Sequence, residues 1–390
     1  LKRPPRRTAR CGGWRSCCRA PAAPEPHSMR PRAPPGLASA ALPAAPRPRA
    51  AALDRPTRAS PRALAPPWQQ PRLCPASSLA VGAGRALLAT AAAATARHAA
   101  ALSRRCSSAA ARAAAGGYVD VHCHLTHAAY AGAEGEDEAV ERARTAGLAR
   151  VVVNGIEPDS NRAALQLCAR HPDVLRAALG IYPLNACASA IDAADFEARL
   201  GFRPPEAPDV ADELDFIDAQ AAAGHIVAVG EAGLDGMYGY NEGLLSAQEA
   251  VLRELCRLAR RHSLPIIVHT RGAERRVFEV LQDEGVELAD FHCFMGKKKL
   301  GLEIAAAGYY LSVPSFVKRN AQFQGLCRSL PAERILTETD APYLAPEKGA
   351  WPNEPSTVPA GVAAIAAARG EPEAEVRAQI RKNYEALFGE

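Results

Sequence analysis

Residues 118–125 of the 390-residue chain read YVDVHCHL, an apolar, β-branched run that carries two histidines one residue apart. Successive side chains of a β-strand point to opposite faces, so His122 and His124 project to one side and Cys123 to the other. Two imidazoles presented in this way can bind one metal ion. A histidine pair on an exposed strand edge has the same spacing, and the rest of the chain decides between these interpretations.

Further apolar runs alternate with segments of helical spacing along the chain. The predicted strands are 118–125, 150–156, 175–181, 226–231, 265–270, 288–294, 309–315 and 334–340, and the predicted helices include 138–147, 160–171, 211–223, 247–262, 275–285 and 300–307. This alternation predicts an α/β fold, a parallel (β/α)8 TIM barrel over residues 118–390. A doubly wound open sheet is the alternative, but no GxGxxG or GxxxxGK[ST] turn follows the first strand to support it.

Two predicted connections, residues 183–208 and 341–355, are longer than is usual between such elements. Both follow a predicted strand, and in a barrel the loops after the strands lie on the catalytic face and shape access to the site. Residues 372–388 predict a closing helix, in which Asn383 and Tyr384 are assigned to packing.

Residues 1–117 differ from the rest of the chain in composition. They hold 20 of the 47 basic residues, 17 of the 32 prolines and only two of the 42 acids, which leaves residues 118–390 with 27 basic and 40 acidic residues, a net charge of about −13. Such an Arg-, Ala- and Pro-rich segment buries too little apolar surface to offset its chain entropy, so it is predicted to be a disordered N-terminal extension.

The acid-poor, serine-containing composition of this extension favours a transit peptide for the chloroplast or the mitochondrion. A disordered tail and an artefact of gene prediction are the alternatives, because the chain begins with Leu1 and its first methionine is Met29. If the extension is such an artefact, the protein is expected in the cytoplasm. The apolar run 86–96 lies between two arginines and is too short to span a bilayer, so no membrane association is expected.

The chain has 11 cysteines, and the six within residues 118–390 show no CxxC spacing. Most of these six lie inside apolar runs. The pattern predicts buried free thiols in a reducing compartment rather than disulfides or a zinc knuckle.

Six histidines and carboxylates stand at or near the ends of predicted strands. They are His122 and His124 on the first strand, Glu231 on the fourth (VGEAGLD), His269 on the fifth, His292 on the sixth (FHCF) and Asp340 on the eighth (TETDAPYL). All strands of a parallel barrel end on one rim, so these side chains are expected to converge. Four imidazoles and two carboxylates suit one or two divalent ions of the Zn, Mn or Mg type. Without a metal, burying six polar groups together would be costly.

The motifs DVHCHL, VGEAGLD, IIVHTR, DFHCFMG and TETDAPYLAP, in that order, resemble those of the TatD-type metal-dependent nucleases of the amidohydrolase superfamily. The resemblance covers residues 118–390 and implies two divalent ions per chain. In the implied arrangement one ion is bound by His122, His124 and Asp340, the other by His269 and His292, and Glu231 bridges both. Amidohydrolases of the dihydroorotase kind typically use a modified lysine as the bridge, so Glu231 favours the TatD branch.

This ligand set implies phosphodiester hydrolysis by a water that two metal ions activate, with Asp340 as the general base and Glu231 as a second catalytic residue. The predicted enzyme is a deoxyribonuclease, a 3′-5′ exonuclease on single-stranded DNA, because the acidic body argues against a large duplex-binding face. Its predicted partner is this nucleic acid substrate, and no obligate protein partner is evident. A D-aminoacyl-tRNA deacylase, an ester hydrolase with the same metal site, is the alternative. A non-catalytic binding protein would leave the six ligands without a role.

Three further residues are predicted to contact substrate. Arg271, in IIVHTR, is placed to bind a phosphate unless it is simply a solvated side chain, and His127 could line the pocket. The family commonly has GIHP where this chain has GIYP; Tyr182 can donate a hydrogen bond to a phosphate oxygen but cannot act as a histidine does near neutral pH. The lysine run 297–299 could follow a phosphate backbone, although a solvated face is favoured at the start of a helix.

Overall fold

The structure is a computed structural model that describes residues 116–130 and 135–390. The predicted disordered extension and organelle presequence lie, apart from Gly116 and Gly117, outside the described residues and stay predictions. Within the described part of the chain, no helix is long and apolar enough to cross a membrane.

Eight strands form a single parallel sheet. They are β1 (Tyr118–Cys123), β2 (Leu148–Asn154), β3 (Leu175–Leu179), β4 (Ala228–Gly233), β5 (Ile266–His269), β6 (Ala289–Phe291), β7 (Tyr310–Pro314) and β8 (Ile335–Glu338). Each strand pairs with the next along the chain, in the order β1 to β8.

Hydrogen bonds just beyond β8 join the last strand to the first. Cys123 and Ala341 form a parallel bridge, the His124 N–H donates to the Ala341 carbonyl oxygen at 2.7 Å, and the Asp340 N–H donates to the His122 carbonyl oxygen at 2.9 Å. The sheet therefore closes on itself, and the predicted (β/α)8 barrel is confirmed.

Helices connect the strands and cover the outside of the barrel. They are α1 (Gly135–Thr145), α2 (Pro158–Arg170), α3 (Pro183–Cys187), α4 (Ala193–Leu200), α5 (Val210–Ala222), α6 (Glu242–Arg261), α7 (Glu274–Asp283), α8 (Lys298–Ala306), α9 (Ala321–Cys327), α10 (Val358–Arg369) and α11 (Glu373–Phe388). Short 3₁₀ helices lie at Ala128–Tyr130, Ala188–Ala190, Ser315–Arg319, Ala332–Arg334 and Pro355–Thr357.

The predicted loop 183–208 is wrong in part, because it contains α3 and α4. Asp192 caps α4 by accepting hydrogen bonds from the backbone N–H groups of the first turn, and Phe196 on this helix is fully buried. Helices this short give too few turns for a sequence period to be recognised. The second long connection, 341–355, is irregular until the 3₁₀ helix at its end, as predicted.

The core lies inside the barrel and between the sheet and its helices. In the helix α6 the buried side chains, among them Leu252, Leu255 and Ala259, recur every three or four residues. This spacing is the pattern from which the sequence predicts a helix. In α11, Tyr384 is fully buried and Asn383 donates to two backbone carbonyl oxygens at 2.7 Å, which confirms their packing role. All six cysteines of the described residues are free, and four of them are buried as predicted, while Cys168 and Cys293 are only partly buried.

Candidate metal centre

The six predicted ligands converge on the rim where the strands end. His122 lies on β1, Glu231 on β4 and His269 at the end of β5, while His124, His292 and Asp340 follow β1, β6 and β8 within two residues. The Nε2 atoms of His122 and His124 are 3.1 Å apart, so the two rings do project to the same side of the strand. Cys123 points the other way, and its Sγ contacts the carbonyl oxygen of Val152 at 3.4 Å.

Glu231 stands between two pairs of imidazoles. Its Oε2 lies 3.5 Å from His122 Nε2 and 3.4 Å from His124 Nε2. Its Oε1 lies 2.9 Å from His269 Nδ1 and 3.0 Å from His292 Nε2. Each carboxylate oxygen therefore faces its own pair of nitrogen donors, which is the geometry of a carboxylate that joins two adjoining sites.

Asp340 completes the first of these sites. Its Oδ1 lies 3.7 Å from His122 Nε2 and 3.5 Å from His124 Nε2. Asp340 adopts a left-handed backbone conformation, with φ of 52°, which is uncommon for a residue with a side chain. The hydrogen bond from its N–H to the His122 carbonyl oxygen holds this turn against β1.

The donor atoms fall into two overlapping groups that could each hold an ion. His122, His124 and Asp340 form one, and His122, Glu231 and His292 form the other, with the atoms of each group within 4.8 Å of one another. His269 Nδ1 is 3.2 Å from His292 Nε2 and so adjoins the second group. The nitrogen and carboxylate donors of both groups are those that Zn, Mn and related ions accept, so the residues fit a divalent metal.

The carboxylates at this centre are ionised. Burial alone would raise the pKa of Glu231, but His292 and His122 outweigh burial and hold that pKa well below its usual value. The pKa of Asp340 is also lowered, because His124 and the other imidazoles overcome the effect of its burial. An ionised carboxylate is the form that binds a cation.

The imidazoles respond to burial and to these carboxylates in opposite ways. Burial lowers the pKa of His122, which keeps its ring neutral and its lone pair available. Burial also disfavours the charged form of His292, yet Glu231 and Glu338 raise its pKa well above the usual value. Protons and a divalent cation therefore compete for the same centre.

A second layer of acceptors orients the imidazoles. His124 Nδ1 lies 3.0 Å from the carbonyl oxygen of Asn154, so it must donate there, which leaves Nε2 to face the centre. Behind His292, Glu338 on β8 lies 3.7 Å from Nδ1, which is beyond hydrogen-bond distance. The contact with Asn154 selects the neutral tautomer of His124 in which the inward nitrogen carries the lone pair.

Asp235, which sequence reasoning missed, orients His269. Asp235 is fully buried two residues after β4, and its Oδ2 lies 2.9 Å from His269 Nε2. The same oxygen accepts from Arg271 Nε at 2.8 Å and lies 2.6 Å from Arg271 Nη2. The available signal was its place in VGEAGLD, directly after a strand that carries a predicted ligand.

The three predicted substrate contacts line one cavity of about 580 Å³ together with the metal centre. Arg271 borders it with a side chain that is 46% exposed, although its guanidinium is held by Asp235. The hydroxyl of Tyr182 lies 3.4 Å from Asp235 Oδ2, and its ring packs on His269 at 5.0 Å between centroids. His127 lines the opposite side, next to Tyr343.

Two glycines let the backbone come close enough to build this centre. A Cβ on Gly180 would lie 2.3 Å from the carbonyl oxygen of Glu231, so only glycine allows β3 to approach β4 here. Gly233 has φ of 143°, and a Cβ there would lie 2.0 Å from the carbonyl oxygen of His269. The positions of Glu231 and His269 relative to the neighbouring strands therefore depend on these two glycines.

A closed parallel barrel whose rim gathers four imidazoles and two carboxylates around one cavity defines a class, the metal-dependent hydrolases of the TIM-barrel type. The family model described as TatD related DNase matches residues 119–389 of the chain. The chain belongs to this family, which confirms the resemblance indicated by its motifs.

Named relatives and solved structures agree with this membership. The deoxyribonuclease TATDN3 of Homo sapiens is 30% identical over 275 residues, which cover 70% of this chain and 94% of the relative. The 3′-5′ ssDNA/RNA exonuclease TatD of Erwinia tasmaniensis is 28% identical over 279 residues, which cover 69% of this chain and 98% of the relative. The crystal structure of the TatD homologue YJJV from Escherichia coli matches with a TM-score of 0.59 at 24% identity, over 70% of this chain and 98% of that one, and supports the barrel fold.

Proposed function

We propose that this chain is a metal-dependent deoxyribonuclease that hydrolyses phosphodiester bonds at the 3′ ends of single strands. The observation that carries the proposal is the placement of Glu231, each of whose oxygens faces two imidazoles. The relatives described above are named for nuclease activity, which favours this reaction over the D-aminoacyl-tRNA deacylase alternative.

In this proposal the centre would hold two divalent ions. His122, His124 and Asp340 would hold one ion, His269 and His292 would hold the other, and Glu231 would be shared between them. Ions held there would supply positive charge to the non-bridging phosphate oxygens and make a water nucleophilic near neutral pH. Zn, Mn and Mg all remain candidates for the metal used.

The side chains around the centre have roles of their own. Asp340 is the general base: its ionised carboxylate borders the cavity and accepts the proton of the attacking water. Arg271 binds a phosphate oxygen, since Asp235 fixes its guanidinium at the cavity wall. Tyr182, whose pKa is raised by burial and by Glu231, stays protonated and can donate a hydrogen bond to the substrate.

The experiment compares restored metals on one substrate. The full chain is stripped of metal with a chelator, and cleavage of a 3′-labelled single strand is followed after Mg, Mn or Zn is added back. We expect metal-dependent loss of the 3′ nucleotide, and we expect Asp340→Asn to reduce the rate by about a hundredfold or more, as is typical when an acid–base group is removed. Equal cleavage by wild type and Asp340→Asn, or no cleavage with any metal, would contradict the proposal.

The number of ions is measured separately. Elemental analysis of the reconstituted chain should give two ions per molecule. Glu231→Gln removes the charge that joins the two sites, so this variant should retain one ion or fewer. A wild-type content of one ion would rule out the bridged arrangement.

A further inference from the structure

Three aromatic rings form a cluster at the mouth of the cavity. His127 comes from the connection after β1, and Tyr343 and Trp351 from the connection after β8. The ring centroids of His127 and Tyr343 are 5.7 Å apart, those of Tyr343 and Trp351 are also 5.7 Å apart, and those of His127 and Trp351 are 6.2 Å apart. The three residues therefore contact one another as a continuous patch, which we call the aromatic wall.

The aromatic wall is open to solvent. Trp351 is 58% exposed, more than any other large hydrophobic side chain of the described residues, and Tyr343 is 45% exposed. Scattered surface aromatics need no explanation, but a contiguous exposed group beside a cavity is typical of a binding surface. Because these rings do not fill the core, packing does not explain why they are clustered here.

Hydrogen bonds fix two members of the aromatic wall, His127 and Tyr343, relative to the metal centre. The backbone N–H of Ala129 donates to His127 Nδ1 at 3.0 Å, so the neutral ring carries its proton on Nε2, which lies 3.3 Å from the Tyr343 hydroxyl oxygen. The Tyr343 N–H donates to the carbonyl oxygen of Asp340 at 2.8 Å. The tyrosine ring is thus anchored to the same turn that presents the Asp340 carboxylate.

The two sides of the cavity differ in chemistry. His127 and Tyr343 border it on the side of β1 and β8, next to His124 and Asp340. Across the barrel, after β4 and β5, the guanidinium of Arg271 lies over the ring of Tyr238 at 5.1 Å. One side therefore carries a cation that suits a phosphate, while the other offers neutral rings that suit a flat apolar group.

We propose that the aromatic wall is a stacking platform for the unpaired base at the 3′ end of a nucleic acid strand, an inference that rests on the proposed nuclease function. All bases have a π face, so stacking on aromatic side chains binds a strand end without a requirement for sequence. A base inside a duplex is already paired and stacked, and exposing it costs free energy, so such a platform selects single-stranded ends.

Binding without cleavage tests the platform directly. The full chain is kept in chelator and titrated into a short oligothymidylate that carries 2-aminopurine as its 3′ base, whose fluorescence falls when it stacks. Trp351→Ala should weaken binding about tenfold and reduce the quenching, and Trp351→Phe, which keeps a ring, should restore most of both. Moving 2-aminopurine to the 5′ end should leave little quenching, and a blunt duplex should compete about tenfold less well than the single strand.

A second measurement uses the protein's own fluorescence. The chain has three tryptophans, Trp14, Trp68 and Trp351, so a variant with Trp14→Phe and Trp68→Phe retains Trp351 as its one tryptophan. Adding the unlabelled oligonucleotide should change the emission of this variant. Leu302→Ala, which removes another exposed apolar side chain, from α8, is the matched control and should bind like wild type. Thermal unfolding checks that Trp351→Ala is folded.

The outcomes separate this inference from the nuclease proposal. Equal quenching by wild type and a folded Trp351→Ala, or Trp351 emission that does not respond to the oligonucleotide, overturns the platform even if metal-dependent cleavage is found. A duplex that competes as well as the single strand overturns it too. Binding that depends on Trp351 supports the platform, and if no metal restores cleavage, the nuclease proposal fails alone.

Discussion

One oxygen of the Asp235 carboxylate, Oδ2, contacts both His269 Nε2, at 2.9 Å, and the guanidinium of Arg271. We predict that Asp235→Asn lowers metal affinity by about 10- to 100-fold, the usual effect of removing the partner of a metal-binding histidine. The physical reason is that the carboxylate holds His269 with Nδ1 facing the centre, and an amide does so less strongly. Metal titration of the stripped chain measures this change.

A matched substitution controls for the loss of an Asp–His pair as such. Asp218 lies 2.8 Å from His262 Nε2, and this pair joins α5 to the end of α6 outside the metal centre. Asp218→Asn should leave metal affinity unchanged. If both variants bind metal like wild type, Asp235 has no orienting role.

At the residue scale, the sequence allowed the convergence of the six candidate ligands to be predicted, but not the side chains that hold them in place. His122, Glu231 and Asp340 could be placed together because strand ends of a parallel barrel share one rim. The partner of His269 could not be identified in the same way, because Asp235 reaches it through the irregular turn after β4. Arg271 was predicted to meet substrate, but its anchoring by Asp235 depends on that turn as well.

Two neighbouring strands, β3 and β4, come unusually close where Glu231 emerges. A Cβ at position 180 would lie 2.3 Å from the Glu231 carbonyl oxygen and 2.6 Å from the Gly230 carbonyl carbon. We predict that Gly180→Ala displaces Glu231 and lowers cleavage by about a hundredfold, since ångström-scale displacement of a catalytic group has effects of that size. Steady-state rates and metal content measure the effect.

Gly325→Ala is the matched control for this backbone change. Gly325 lies in α9, and an added Cβ would meet only Arg328 Nη2, at an ordinary contact distance of 3.7 Å. This variant should keep full activity and gain about 0.5–1 kcal/mol of stability from higher helix propensity. If Gly180→Ala cleaves the substrate as fast as Gly325→Ala, then β4 can move without loss of activity.

Glu284, at the end of α7, ties that helix to α6. It lies 3.0 Å from Arg253 Nη1, and it accepts two hydrogen bonds from Arg257, each at 3.0 Å. Burial would raise its pKa, but these guanidinium groups lower it below the usual value. We predict that Glu284→Gln lowers the free energy of unfolding at pH 7 by about 1 kcal/mol, a typical upper value for solvent-screened pairs.

The pH dependence of this loss follows from the direction of the pKa shift. A carboxylate whose pKa is lower in the folded chain stabilises it above the unfolded pKa of about 4.3, and this contribution disappears as the pH falls through the folded value. The difference between wild type and Glu284→Gln, from chemical denaturation, should therefore shrink as the pH is lowered from neutrality through the unfolded and then the folded pKa of Glu284. Glu287→Gln, at an exposed position, should have no such effect; a difference that persists in acid would contradict the ionic explanation.

At the scale of elements, periodicity identified the strands and the long helices because each must bury one face. The helix α6 is an example, since twenty residues give several repeats of its apolar spacing. The prediction failed where an element was short, as in α3 and α4. The alanine-rich α10, whose sequence is VPAGVAAIAAAR, lacks a polar face and so shows no periodic pattern either. In such segments tertiary packing decides the structure, and the local pattern carries little information.

At the scale of the whole molecule, the part from residue 118 onwards combines an acidic body with a few basic groups at the rim. Residues 118–390 carry a net charge of about −13, yet the lysine run 297–299 follows β6 and is exposed on the face that holds the metal centre. Lys297 is the N-cap of α8, so the run lies at the positive end of a helix dipole, where it gains no stability. The position of the run does not stabilise the helix, so a binding measurement has to decide between a solvated face, favoured above, and a contact with phosphates.

This arrangement predicts how the binding of a single strand depends on salt. Each neutralised phosphate contributes a slope of about −0.7 to the plot of log affinity against log salt concentration for single strands. Replacing all three lysines with glutamine should therefore weaken binding at low salt and reduce the slope by up to about 2. Binding in chelator at several salt concentrations measures this, with Lys382→Gln on α11 as the control that should match wild type. An unchanged slope in the triple variant would mean that the run is a solvated face that contacts no phosphate of the strand.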